Sequence, residues 1–394
     1  MKGQKTLNRV ASILFTAGLI AWLGLGNFAL SDELNEINTD DTSTERTFNY
    51  NSLTTPYNVS ATTGVTAPDI MSVKGAVSDD GSQYAVINYG SNYYGFTVNE
   101  NIILNLTDVK LLNAKTTSTN GSYVNNSGFL NINNVIFENG RIVLSSGTAY
   151  GGAIYNTGTI NYIIGSFVDN IASGTNGYGG AIYNTGTIKT VSGDFIGNSA
   201  KGSSKAQGGA IFTSSNMTLL ADEKDFQISG NTTKIGLTTT NQAIYVQDDD
   251  VVVHERSGNN TTLTLSAKGG GSWKVDDIIA GTWYYNPEES EEYYRYDVNL
   301  TGDTYSNIFL NNQIQNADVN VQDINVYIKP DTFETSNVTV RSSALVSLLD
   351  EDTTEYKFFS LHTDGATNPY FDFDIDNRRS EERRVGKKCR SRWS

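Results

Sequence analysis

The sequence predicts an all-β protein built as a right-handed parallel β-helix, a β-solenoid. Three observations lead there. The 394 residues include 37 Gly, 42 Asn and 22 Tyr but only 5 Pro. Gly and Asn are poor helix residues, whereas Thr and Tyr suit a pleated surface. Short apolar-polar alternations recur between Gly, Asn and Asp turns, as in Val319-Asn-Val-Gln-Asp-Ile-Asn-Val-Tyr-Ile328. Most decisive is an internal repeat: Tyr150-Gly-Gly-Ala-Ile-Tyr-Asn-Thr-Gly-Thr-Ile160 returns unchanged at Tyr178–Ile188. A period near 28 residues, with two or three short strands per unit, suits one coil of a stacked solenoid.

Taken in order, residues 1–31 read as a secretory signal. Lys2, Lys5 and Arg9 precede an apolar run from Val10 to Leu25, and Ala29 and Ser31 offer a small-residue cleavage site before Asp32. An uncleaved membrane anchor is the other reading, since Val10–Leu30 is long enough to span a bilayer. Residues 32–52 are polar and acidic and are expected to be a solvated linker. Residues 53–120 are expected to supply the N-terminal cap and first coils, 121–246 the strict repeats, and 247–378 a degenerate continuation. Residues 379–394 turn abruptly basic and resemble the in-frame translation of a sequencing adapter. On that expectation they are excluded from the fold, and the natural protein continues past Arg378. Residues 32–378 then carry 18 basic and 41 acidic side chains, a charge near -23, and no Cys.

Within the strict region, Gly151, Gly152, Ala153 and Ile154 recur as Gly179, Gly180, Ala181 and Ile182, then as Gly208, Gly209, Ala210 and Ile211. Asn241-Gln-Ala-Ile-Tyr245 is a worn fourth copy, and Gly121–Gly128 aligns upstream at an offset of 30. A second element lies between copies: Phe167-Val-Asp-Asn170 and Phe195-Ile-Gly-Asn198, with looser forms at Phe137-Glu-Asn139 and Phe226–Asn231. Coils stacked about 4.8 Å apart place like residues above like. Ile154, Ile182, Ile211 and Ile244 are expected to form one inward ladder, and Phe137, Phe167, Phe195 and Phe226 another. Tyr155, Tyr183, Phe212 and Tyr245 are expected to stack, inside or out. Asn170 and Asn198 are expected to ladder at a turn, amide to amide. Eleven or twelve coils would make a rod on the order of 55 Å long.

The Gly-Gly-Ala-Ile and Phe-x-x-Asn pair resembles the repeats of polymorphic outer-membrane proteins, a group of autotransporter adhesins. The close likeness covers residues 121–246. Residues 297–328 resemble autotransporter passenger repeats more generally. The resemblance implies an exported passenger β-helix acting at the cell surface, followed in the full-length protein by an outer-membrane β-barrel. It implies partners of one kind: a surface protein or glycan of a host or neighbouring cell.

The chemistry of the sequence points to binding rather than turnover. The charge of -15 argues against nucleic acid, and two His with one Cys leave no His/Cys zinc site. No phosphate-cradling Gly-rich loop and no nucleophile elbow occur, so no cofactor is expected. The alternative is an extracellular polysaccharide lyase or hydrolase of β-helix fold, for which the carboxylates at Asp248–Asp250, Asp276-Asp277, Glu288–Glu292 and Asp350–Asp352 are candidates. Asp372, Asp374 and Asp376 alternate as calcium ligands do, although the residues at the sixth and twelfth loop positions are wrong for an EF-hand. Trp283, Tyr284, Tyr285, Tyr293, Tyr294 and Tyr296 form the densest aromatic cluster and are the leading binding candidates. The turn at Asp248–Asp250 follows them.

Overall fold

The computed structural model describes residues 45–49, 52, 57–58, 70–248, 260–286, 292–341, 343–349, 358–363 and 370–372. Among these there is no helix; the chain is a parallel β-helix. Its strands gather into one 22-stranded sheet and two 7-stranded sheets. The large sheet wraps around two faces of the rod. On the first face, Glu45–Asn49, Ile70–Lys74, Ile103–Leu112, Phe129–Glu138 and Thr159–Val168 pair in parallel, coil on coil. The column continues unbroken through Thr187–Ser192, Met217–Asp222, Thr262–Lys268, Glu292–Gly302, Ala317–Gln322 and Phe333–Val340 to Phe358–Thr363. Glu45–Asn49 thus brings the solenoid into the stretch expected to be linker, pairing through backbone groups that an acidic sequence still possesses.

One long strand per coil turns the corner to the second face. Asp108 and Asn134 take left-handed backbone angles (φ 53° and 56°) in the middle of Ile103–Leu112 and Phe129–Glu138. Asn and Asp tolerate that conformation best among residues with side chains, so the bend is written locally. In later coils the second face is made by separate strands, such as Phe195–Ile196, Asp225–Ser229 and Ser272–Val275.

In the middle of the rod two further sides are added. Three-residue strands at Val124–Asn126, Ile154–Asn156, Ile182–Asn184 and Ile211–Thr213 stack into the second sheet. The last three are introduced by the Gly-Gly-Ala corner, and the first by Gly121-Ser-Tyr123. Gly179 sits at φ +60°, and a Cβ on Gly180 would lie 1.9 Å from the Gly209 carbonyl oxygen of the next coil. Only glycine permits both the turn and the close stacking. The third sheet is a fin. Arg141–Val143 and Thr148–Tyr150 are its two legs in one coil, pairing with the two ends of Ile171–Tyr178 in the next. Ser199–Gln207 follows, and Thr232–Ile235 closes as an antiparallel hairpin with Thr238–Thr240. Ile142, Ala149 and Ala172 form a small core of their own, separate from that of the rod.

The interior is laddered. Ile154, Ile182, Ile211 and Ile244 are in register and fully buried. Phe137, Phe167 and Phe195 stack at 4.9 and 5.0 Å with rings within 5° of parallel. Phe226 does not join them. Ile228 takes the rung above Phe195, and Phe226 pairs instead with Trp273. The reason is spacing: Asn231 continues the Asn ladder, and the residue three before it is Ile228. In the looser upstream copy Gly140, not Asn139, takes the ladder position; its N–H donates to Asn170 Oδ1 at 2.8 Å.

Asn170, Asn198 and Asn231 form that buried ladder. Asn170 and Asn198 each donate from Nδ2 to the next Oδ1 at 2.9 Å, and all three Nδ2 groups donate back to the carbonyl of Phe137, Phe167 or Phe195. A second ladder runs through Asn126, Asn156, Asn184 and Thr213 at 2.7, 2.7 and 3.1 Å. Paired amides satisfy polar groups that would be costly to bury alone. Beyond Gly281 the coils shorten: among the described residues the second sheet is carried on by the single bridge Ile279–Ile314, and the two faces of the large sheet continue. Val298, Val319 and Val338 stack on one, and Ile308, Val326 and Val346 on the other.

Candidate functional site

The alternation within Ile-Tyr-Asn decides the facing of the aromatic ladder. Ile154 and Asn156 point inward, so Tyr155 points out; the same holds for Tyr183. Tyr155, Tyr183, Phe212 and Tyr245 form one stacked column on the outward side of the second sheet, with ring separations of 5.4, 4.9 and 5.8 Å; the tyrosines reach solvent, while Phe212 is covered, 3 % exposed. A second column, unforeseen from the sequence, lies beside it. Tyr150 and Tyr178 end the returning legs of the fin and stack at 5.7 Å. Tyr150 meets the edge of Tyr183 at 4.7 Å, and Tyr178 that of Phe212 at 5.2 Å. The signal was present in the repeat, whose first residue is Tyr in both strict copies. It lacked the knowledge that the loop before it returns against the next strand.

The tyrosines of this strip are half-buried, with part of each ring in solvent. Burial raises the phenol pKa of Tyr155, Tyr178 and Tyr245 above the usual value, so all three are neutral donors and acceptors. Lys205 Nζ lies 5.7 Å from the Tyr178 ring centre, a cation–π contact at the strip's border. The arrangement offers flat apolar rings with polar hydroxyl edges, repeated at the coil spacing. That chemistry suits sugar rings and mixed protein surfaces.

The Trp283–Tyr296 cluster is an antiparallel hairpin: Trp283–Asn286 pairs with Glu292–Arg295, bringing Trp283 opposite Arg295 and Tyr284 opposite Tyr294. Trp283 is 50 % exposed and Tyr284 half-buried. The side chains of Tyr285, Tyr293 and Tyr294 lie outside the described residues. Tyr296 is not part of a binding surface. It is wholly buried, and its hydroxyl donates to the Gln315 carbonyl at 3.0 Å. Alternation explains it: Tyr296 begins the inward series Tyr296, Val298, Leu300.

Three of the acidic candidates, Asp248, Asp276 and Asp277, have structural places; Glu288–Glu291 and Asp350–Asp352 lie outside the described residues. Asp248, expected at an exposed turn, is 1 % exposed and accepts the Thr261 N–H at 2.7 Å; Asp249 and Asp250 lie outside the described residues. Asp277 caps the Asn ladder, accepting from the backbone and side chain of Asn231 at 2.8 and 2.9 Å. Burial raises its pKa, partly offset by those bonds. Asp276 pairs with Lys274. Asp372 ends the strand Tyr370–Asp372, while Asp374 and Asp376 lie outside the described residues. Among the described residues no three His, Cys, Asp or Glu side chains are grouped to hold a metal ion. The chain matches no protein-family model, no curated protein and no solved structure.

Proposed function

We propose that the chain is an exported, passenger-type rod of the autotransporter kind. It works at the cell surface by non-catalytic recognition of a protein or glycan on a host or neighbouring cell. The observation that carries this reading is the outward aromatic strip. The interior is already laddered with Ile, Phe and Asn, and the repeats also place a ring at the same outward position four times. Aromatic rings left partly in water, as those of Tyr155, Tyr183 and Tyr245 are, recur where surfaces meet partners. The uses found for Asp248, Asp276 and Asp277 support binding over catalysis, because each carboxylate is engaged in structure.

Beads coated with the purified chain test the reading. They are expected to adhere to host or neighbouring cells, and the double variant Tyr155→Ser/Tyr183→Ser is expected to lose at least tenfold in adhesion at unchanged fold. Equal adhesion by the double variant removes the strip from the account. Release of reducing ends or unsaturated sugars from cell-wall polysaccharide would favour the lyase or hydrolase instead.

A further inference from the structure

The opposite root of the fin carries a different surface. A cleft of about 390 Å³ lies where the outgoing legs leave the second face of the rod. Its walls include Arg141, Lys201 and Lys234, on a chain whose net charge is -15. The register explains how they meet. Arg141 pairs with Ile171, which pairs with Ser199 and then Thr232, and two residues further out Lys201 lies directly beside Lys234. The two lysines therefore stand one strand spacing apart, about 4.8 Å.

Like charges directly opposite one another on neighbouring strands destabilise a sheet. Asp169 is the one carboxylate in the lining, and it forms no ion pair with them. The ion pairs among the described residues are Lys110–Glu138 and Lys274–Asp276, so no carboxylate holds any of the three cations. Partial burial, with Arg141 and Lys234 nearby, pushes the Lys201 pKa down. Three unpaired cations beside a single carboxylate leave a net positive concave place, which an anionic ligand would neutralise.

We infer that this cleft is a binding site for a short acidic oligosaccharide, its sulfate or carboxylate groups seated on Arg141, Lys201 and Lys234. The remaining lining argues for a sugar over other anions. Asn139, Ser199 and Thr232 offer amide and hydroxyl partners. Asp169 accepts from a hydroxyl but repels a dense row of phosphates. The negative field of the whole chain disfavours long polyanions and leaves a short one able to enter. The site lies apart from the aromatic strip and does not rest on the proposal of export.

The test is calorimetric titration of the full chain at low salt with four probes: a sulfated heparin tetrasaccharide, tetragalacturonate, inorganic sulfate and a single-stranded oligonucleotide. At least one of the two saccharides is expected to bind more tightly than sulfate and oligonucleotide. The variant Lys201→Gln/Lys234→Gln is expected to weaken that binding at least tenfold. Lys224→Gln, at an exposed position outside the cleft and the strip, is expected to leave it unchanged. Should the double glutamine variant fail to fold, Lys201→Arg/Lys234→Arg keeps the charge and is expected to keep binding. No binding by either saccharide, equal binding of sulfate or oligonucleotide, or an unaffected charge-removing variant would overturn the inference.

Discussion

Asp297 shows how stacking sets the properties of a single residue. It sits on the rung beside Asp318, with Asp248 nearby, and its pKa is raised from 3.8 to about 6. Burial is the main cause, the neighbouring carboxylates add to it, and a hydrogen bond from Asn260 works against it. The folded form therefore binds the proton more tightly than the unfolded chain. That contribution is fully present below about pH 4 and is lost as pH rises through 6. Asp297→Asn is expected to raise the melting temperature at pH 7 and to flatten its dependence between pH 4 and 6. Thermal melts across that range check it; a lower melting temperature at pH 7 would show that the carboxylate makes a favourable contact that the amide cannot. At this scale much was legible in the repeats: the Ile ladder, the Asn170–Asn198 ladder and the stacking of Tyr155 on Tyr183 follow from the period, whereas the facing of the tyrosines was left open, inside or out. Phe226 was misplaced because its resemblance to Phe167 outweighed its distance from Asn231. Tyr296 was misplaced because clustered aromatics in a sequence do not reveal which of them lie on the inward alternation.

At the scale of the element, the Gly-Gly-Ala corner limits how closely coils approach. A methyl group at Gly180 meets the backbone oxygen of Gly209, which is not the end of a flexible side chain and cannot move aside alone. Gly180→Ala is expected to cost about 3 kcal/mol, the upper part of the range for overpacking. Urea denaturation measures it; a loss below about 1 kcal/mol would mean that the corner relaxes freely. The corner was readable because two copies are identical. The fin was not, because its legs differ in sequence from coil to coil. Ile171-Ala-Ser, Ser199-Ala-Lys and Thr232-Thr-Lys share a register but little chemistry. Outgoing and returning legs also need no fixed length, so the period drifts there. The basic cleft stayed hidden for the same reason: Arg141, Lys201 and Lys234 are far apart in sequence and meet only through strand pairing.

For the whole molecule, twelve stacked strands on the first face give a rod of about 55 Å at the usual strand spacing. One continuous core runs along the rod from Met71 to Val346, and within it each coil is held by contacts with its neighbours. The rod can therefore lose the fin, and all but one bridge of the second sheet, after Gly281 and still continue, since each shortened coil needs only the one before it. It also presents different chemistry on different sides: aromatic beside the returning legs, cationic beside the outgoing ones, and acidic in total. A long molecule with several separate surfaces and a laddered interior is suited to display and recognition. Whether it does that work outside the cell is tested most directly by treating intact cells that express the gene with a protease too large to enter. The N-terminus of the released protein is then sequenced. The account predicts that fragments of residues 53–378 are shed from intact cells and that the mature chain begins at Asp32. A chain protected until the cells are broken, retaining Met1, would contradict it.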